Sequence, residues 1–156
     1  MLDPKVRSEI EAHLDHYPVK SAASIDALKI VQAHERWVSD EALHEVAEML
    51  EMSPEELDGV ASFYNLVYRR PVGEHVILLC DSVSCWLMGG TNIAATLEQK
   101  LGVELGETSE DGQFTLLPMC CLGDCDHAPM MMIDEDTHRD LTPDGLDAIL
   151  AKYRSA

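Results

Sequence analysis

His75-Val76-Ile77-Leu78-Leu79-Cys80-Asp81-Ser82-Val83-Ser84-Cys85 begins as an unbroken apolar run and ends in a polar loop closed by a second cysteine. Apolar residues without alternation, entered from the breaker Arg70-Pro71-Val72-Gly73, predict a strand covered on both faces. Downstream, Ile93, Leu97 and Leu101 recur at one-turn spacing and predict a helix. Val103-Glu104-Leu105 reads as a short strand. Gln113-Phe114-Thr115-Leu116-Leu117, after the turn Glu110-Asp111-Gly112, reads as a longer one. Met130-Met131-Met132-Ile133 is a further strand, turned at Asp134-Glu135-Asp136, and Thr142-Pro143 opens a last helix with Leu146, Ile149 and Leu150 inward. Strand–helix–strand suits a right-handed parallel crossover, and strand–strand–helix suits an antiparallel hairpin. The expected class is α/β with a mixed sheet.

Upstream of Pro71 the pattern is helical. Asp3-Pro4 caps and opens a helix with Val6, Ile10 and Leu14 on one face. Ile25, Leu28, Val31 and Gln32 mark a second helix running towards Trp37. Ser39 caps a third, with Leu43, Val46, Ala47 and Leu50 as its buried stripe. Ser53-Pro54-Glu55-Glu56 is a capping box that starts a short fourth helix through Leu57. The expected division is a helical N-terminal subdomain, 1–72, and an α/β domain, 73–156.

The chain has 156 residues and a formal charge of −18, from 29 acidic and 11 basic side chains. Such a field repels phosphate backbones and anionic lipid, which excludes nucleic acid as an expected partner. No apolar run approaches the ~20 residues of a membrane span, and the first residues carry no signal-like apolar segment, so a cytosolic protein is expected. In a reducing compartment its five cysteines suit metal or redox chemistry better than disulfides.

Cys80 and Cys85 are separated by four residues, Cys121 and Cys125 by three, and 35 residues lie between the pairs. Both pairs follow the C-terminal ends of predicted strands. If those strands share a sheet, four thiolates converge from two loops, each pair suited to one iron of a [2Fe–2S] rhomb. Structural zinc favours Cys-x₂-Cys knuckles, and a thioredoxin-like dithiol needs Cys-x₂-Cys at a helix start; neither occurs. Zinc, a dithiol and inert buried cysteines stay open as alternatives on spacing alone. Cys120 is expected to sit buried beneath or beside the site, because neighbours at a strand end point oppositely and Cys121-Leu122-Gly123-Asp124-Cys125 brackets a glycine able to turn N–H groups towards sulfur. Ser82 and Ser84 are candidate donors to sulfur, whereas Asp81, Asp124 and Asp126 would lower a cluster's potential or serve only as turn residues. His127 as a Rieske-type ligand is disfavoured, since four cysteines suffice. Met130–Met132 read as strand residues, and Trp37, Phe63 and Tyr64 as packing or interface anchors.

CDSVSC, CLGDC and APMMMIDED, together with ALKIVQAHERWVSDEALHEVAEML and GVASFYNLVYRRPVG upstream, resemble the thioredoxin-like [2Fe–2S] ferredoxins, in particular those of NADH:quinone oxidoreductase, respiratory complex I. The resemblance runs from about Ser21 to the C-terminus; Ser62 stands where the family commonly has threonine. It implies a thioredoxin-like second domain and one [2Fe–2S] cluster held by Cys80, Cys85, Cys121 and Cys125. It further implies an electron-transfer subunit, without a complete active site of its own, beside a flavoprotein subunit that binds FMN and NADH. Other peripheral-arm subunits are expected partners, and the expected place is the cytoplasmic side of the inner membrane, reached through the complex. An NAD-linked hydrogenase or formate dehydrogenase is the alternative setting, and a zinc-stapled structural subunit is a weaker one. No Gly-x-Gly occurs among the nine glycines, in keeping with nucleotide binding on a partner.

Overall fold

In the computed structural model, which describes residues 2–154, the chain divides into two units, Met1–Pro71 and Val72–Ala156. The first is built from four helices: α1 (Pro4–Leu14), α2 (Ser24–Glu35), α3 (Asp40–Leu50) and α4 (Pro54–Phe63), with a 3₁₀ turn at Lys20–Ala23. Their starts are chemical. The Asp3 carboxylate accepts the Lys5 N–H, the Ser39 hydroxyl accepts that of Ala42, and Ser53 and Glu56 cap each other reciprocally. Val6, Ile10, Leu28, Val31, Leu43, Val46, Leu50 and Leu57 close one core.

Three details depart from the sequence reading. Arg36 takes a left-handed φ of 71°, so α2 stops at Glu35 short of Trp37. Gln32 is a clamp rather than a packing residue: its amide donates to the Leu66 carbonyl and accepts from the Tyr68 N–H. And α4 continues past Leu57 to Phe63, because Ala61 falls one turn on and is equally buried. The Arg69 guanidinium donates to Asp40, Asp58 and the Val38 carbonyl, tying the end of this unit to α3 and α4.

The second unit contains β1 (His75–Cys80), α5 (Val83–Leu87), α6 (Gly90–Leu101), β2 (Phe114–Met119), β3 (Met131–Ile133), β4 (Asp136–His138) and α7 (Leu146–Leu150). The sheet is mixed, in the order β2-β1-β3-β4: β1 and β2 are parallel, and the other two pairings are antiparallel. Register decides the function-bearing end. His75 stands opposite Phe114 and Cys80 opposite Met119, so both strands release their cysteine loops at the same edge. Ile77, Leu79, Ile93, Leu97, Phe114, Leu116, Met131 and Ile133 form the core between sheet and helices. Val103-Glu104-Leu105 is irregular rather than a strand; the nearby bridge is Thr108 to Thr115.

Tyr153 closes the far end of this core. Its hydroxyl donates to Asp136 at 2.7 Å and lies 2.9 Å from His138 Nε2, and burial, then Asp136, push it up to about 12. A folded value above the ordinary 10.0 means that the folded chain binds the extra proton. This contribution to stability is complete below pH 10 and is lost as pH rises towards about 12. Denaturation midpoints are expected to fall across that window, and more steeply for the parent than for Tyr153→Phe; equal slopes would contradict it.

Candidate metal centre

Parallel pairing brings the two cysteine loops side by side. The Asp81 N–H donates to the Met119 carbonyl, and the Cys80 thiol reaches the Cys120 carbonyl at 3.8 Å. Cys80 and Cys85 are 4% and 1% exposed and pack with Ala128, Met130 and Leu122. Cys121 and Cys125 are exposed, with their sulfurs 3.6 Å apart. Two thiolates on one tetrahedral metal at about 2.3 Å stand about 3.7 Å apart, so this pair already has the spacing of two ligands to one ion.

The electrostatics join the pairs into one group. Burial, then a hydrogen bond with Cys80, pushes the Cys85 thiol up to about 11, while the Met130 N–H donates to its sulfur; Cys125 also acts on it. The Gly123 N–H draws the Cys121 thiol down, helped by Cys125 and by the Ser82 hydroxyl. Gly123 supplies that N–H from a left-handed turn, φ 88°. Cys125 is pushed up by sharing a hydrogen bond with Cys121, and the Ser84 hydroxyl opposes the shift. Serines of the first loop thus donate to sulfurs of the second. The donor set is all sulfur, in two pairs, with N–H and O–H groups aimed at it, and it fits a thiolate-held [2Fe–2S] group.

Two expectations need correction. Cys85 lies on a helical turn, α5, rather than in an open loop: Ser82 and Ser84 accept the N–H groups of Trp86 and Met88 through their carbonyls. Cys120 is exposed rather than buried, because β2 ends at Met119 and the chain leaves the sheet before reaching it. His127 is engaged elsewhere. Its Nδ1 lies 3.1 Å from Asp140 and its Nε2 3.7 Å from Asp126, while Asp124 pairs with Arg139.

Nothing in the sequence singles out Gly90. A Cβ there would stand 2.7 Å from the Cys85 carbonyl oxygen and 3.0 Å from its carbon. Only glycine lets α6 begin against the backbone that carries Cys85. Gly90→Ala is expected to cost about 1–3 kcal/mol in denaturation and to alter the cluster's electron paramagnetic resonance line shape. An unchanged spectrum with parental stability would remove this role. Also unforeseen is an apolar outer face on α5, where Val83, Trp86 and Leu87 are exposed, with Met88 exposed at its C-cap. The readable signal was the absence of charge from Ser82 to Leu97 in so acidic a chain.

A model of the thioredoxin-like [2Fe–2S] ferredoxin family matches residues 10–154. A subunit of the NADH-quinone oxidoreductase of Escherichia coli (strain K12) is 51% identical over 148 residues, covering 95% of this chain and 89% of the relative. The corresponding NADH-quinone oxidoreductase subunit from Pseudomonas aeruginosa is 46% identical over 153 residues, covering 98% and 92%. Among solved structures, an NAD+-reducing [NiFe]-hydrogenase chain in the H2-reduced state gives a TM-score of 0.73 at 24% identity, covering 84% of this chain and 22% of that one. That likeness is one of fold, and this chain spans only about a fifth of the hydrogenase chain. The chain belongs to the thioredoxin-like [2Fe–2S] ferredoxin family, and within it to the group formed by these NADH-quinone oxidoreductase subunits.

Proposed function

We propose that this chain is an electron-transfer subunit of an NADH:quinone oxidoreductase, holding one [2Fe–2S] cluster on Cys80, Cys85, Cys121 and Cys125 beside a flavoprotein subunit that carries FMN and NADH. The observation that supports the reading is the convergence of two cysteine pairs from parallel strand ends, in a chain of this family. A bound [2Fe–2S] cluster accepts and releases single electrons, which complements a flavin able to divide the pair delivered by NADH. The chain's own residues supply the environment. Cys80 and Cys85 hold the dry side, with Ala128, Met130 and Leu122 excluding water. Cys121 and Cys125 hold the exposed side. The Gly123 and Met130 N–H groups and the Ser82 and Ser84 hydroxyls donate to sulfur and stabilise the added negative charge.

The place of action follows from the partners: a multisubunit assembly at the cytoplasmic side of the inner membrane, in which this chain is peripheral. Among the described residues, no helix is long and apolar enough to cross a membrane. With the FMN-loaded flavoprotein present, NADH is expected to bleach the chain's visible absorption; without it, NADH is expected to leave the spectrum unchanged. Stoichiometric binding of FMN or NADH by the isolated chain would overturn the division of labour.

A further inference from the structure

Asp124 stands in the turn between the last two cysteines, just after Gly123 and just before Cys125. A turn aspartate ordinarily spends its carboxylate on nearby backbone N–H groups. Asp124 precedes the 3₁₀ turn Cys125–His127 and makes no such capping bond. Its carboxylate accepts instead from the Arg139 Nε–H, on the chain just past β4. The acid is the more buried partner, with its side chain 20% exposed against 56% for the arginine. Backbone bonds run along the same seam: the Asp140 N–H donates to the His127 carbonyl at 3.0 Å and the Leu141 N–H to the Pro129 carbonyl at 2.9 Å. Residues 139–141 are thereby fixed beside the chain that leaves the cysteine turn, which aims Arg139 at Asp124.

An arginine at this place is not background. Residues 72–156 carry fifteen acidic side chains and only four basic ones. The other three act elsewhere: Lys100 pairs with Asp147, Lys152 acts on His138, and Arg154 on Asp111. Among the described residues, no other lysine or arginine is ion-paired with either cysteine loop. Exposed ion pairs contribute little to stability, so the consequence of this one lies in where it puts charge. Reduction adds one negative charge to a cluster held by thiolates. A carboxylate on the residue before Cys125 opposes that charge, and a guanidinium on the carboxylate cancels the opposition.

We propose that Arg139 sets the reduction potential of the centre by neutralising Asp124, which makes the cluster easier to reduce than the bare carboxylate would leave it. Arg139 acts through Asp124 and is a positioning residue, not a ligand. The proposal rests on the [2Fe–2S] reading above and adds to it a residue outside both cysteine loops.

The test is a reductive titration of the cluster-loaded full chain, followed by paramagnetic resonance at fixed pH and low ionic strength. The parent is compared with Arg139→Gln, Asp124→Asn and the double variant that carries both changes. Arg139→Gln leaves the carboxylate unbalanced. At the parent's midpoint its reduced-to-oxidised ratio is expected to fall about fivefold, a downward shift of about 40 mV for one electron. Asp124→Asn leaves the guanidinium unbalanced and is expected to shift the midpoint upwards to a similar extent. The double variant, with neither charge, is expected to stay within twofold of the parent's ratio. A clasp that merely held the loop would be broken in all three variants and would move them in one direction. That outcome overturns the proposal, as does a ratio within twofold of the parent in either single variant, or loss of iron from both. If Arg139→Gln alone loses iron, an upward shift in Asp124→Asn supports the proposal and any other result there overturns it. A parent that holds no [2Fe–2S] cluster sinks the cluster reading first and this proposal with it; a loaded parent with unmoved variants sinks this proposal alone.

Discussion

Cys121→Ala is expected to strip the purified chain of nearly all its iron, while Cys120→Ala keeps the full two per chain. The two residues are adjacent, yet the structure separates them chemically. Cys121 sits 3.6 Å from Cys125 and receives the Gly123 N–H and the Ser82 hydroxyl, whereas Cys120 offers its carbonyl to the Cys80 thiol and leaves its own side chain exposed. If the four proposed thiolates hold the cluster, removing one leaves an iron open to water and oxidant, which costs the cluster rather than merely weakening it. Iron analysis after identical anaerobic purification checks both variants. Full iron in Cys121→Ala, or loss of iron in Cys120→Ala, would show that the pairing of the loops has been misread.

Phe114→Ala is expected to destabilise the chain by about 3–5 kcal/mol, the usual cost of emptying an aromatic site in a closed core. Phe114 is 1% exposed, begins β2, and stands opposite His75 with ring centroids 5.7 Å apart. Its N–H is held by the Ser109 hydroxyl, so both its side chain and its backbone are fixed. The consequence extends to function, because β1 and β2 deliver the cysteine loops from this packed base. A chelator is expected to remove iron from Phe114→Ala faster than from the parent. Denaturant titration of the cluster-loaded chain measures the first effect and the rate of bleaching the second; a loss under about 1 kcal/mol would mean that this core does not support the site.

What could be read from the residues was what local chemistry determines. Asp3-Pro4, Ser39 and Ser53-Pro54-Glu55-Glu56 specify helix starts through their own capping atoms, and each start falls where those atoms place it. The apolar run His75–Cys80 and the stripe Ile93, Leu97 were equally legible, since burial follows period. What escaped depended on neighbours distant in sequence. Arg36 ends α2 by a left-handed residue that no breaker announces, and Gln32 finds its partners 34 and 36 residues away. Val103-Glu104-Leu105 has strand composition, but the backbone bonds to β2 are made by Gly106, Glu107 and Ser109 just beyond it. At the site, the spacing of the cysteines was legible, but the exposure of Cys120 depends on where β2 ends. The helical turn under Cys85 is too short to show a period, and the need for glycine at Gly90 arises from a contact between α6 and the backbone before it.

The most direct test of the central claim is metal and sulfide analysis of the purified full chain, joined to resonance spectroscopy after dithionite reduction. Two iron and two acid-labile sulfide per chain are expected, with a red-brown colour that dithionite bleaches and a half-integer-spin signal appearing on reduction. A colourless chain holding one zinc and no sulfide, with all four cysteines intact, would contradict the account.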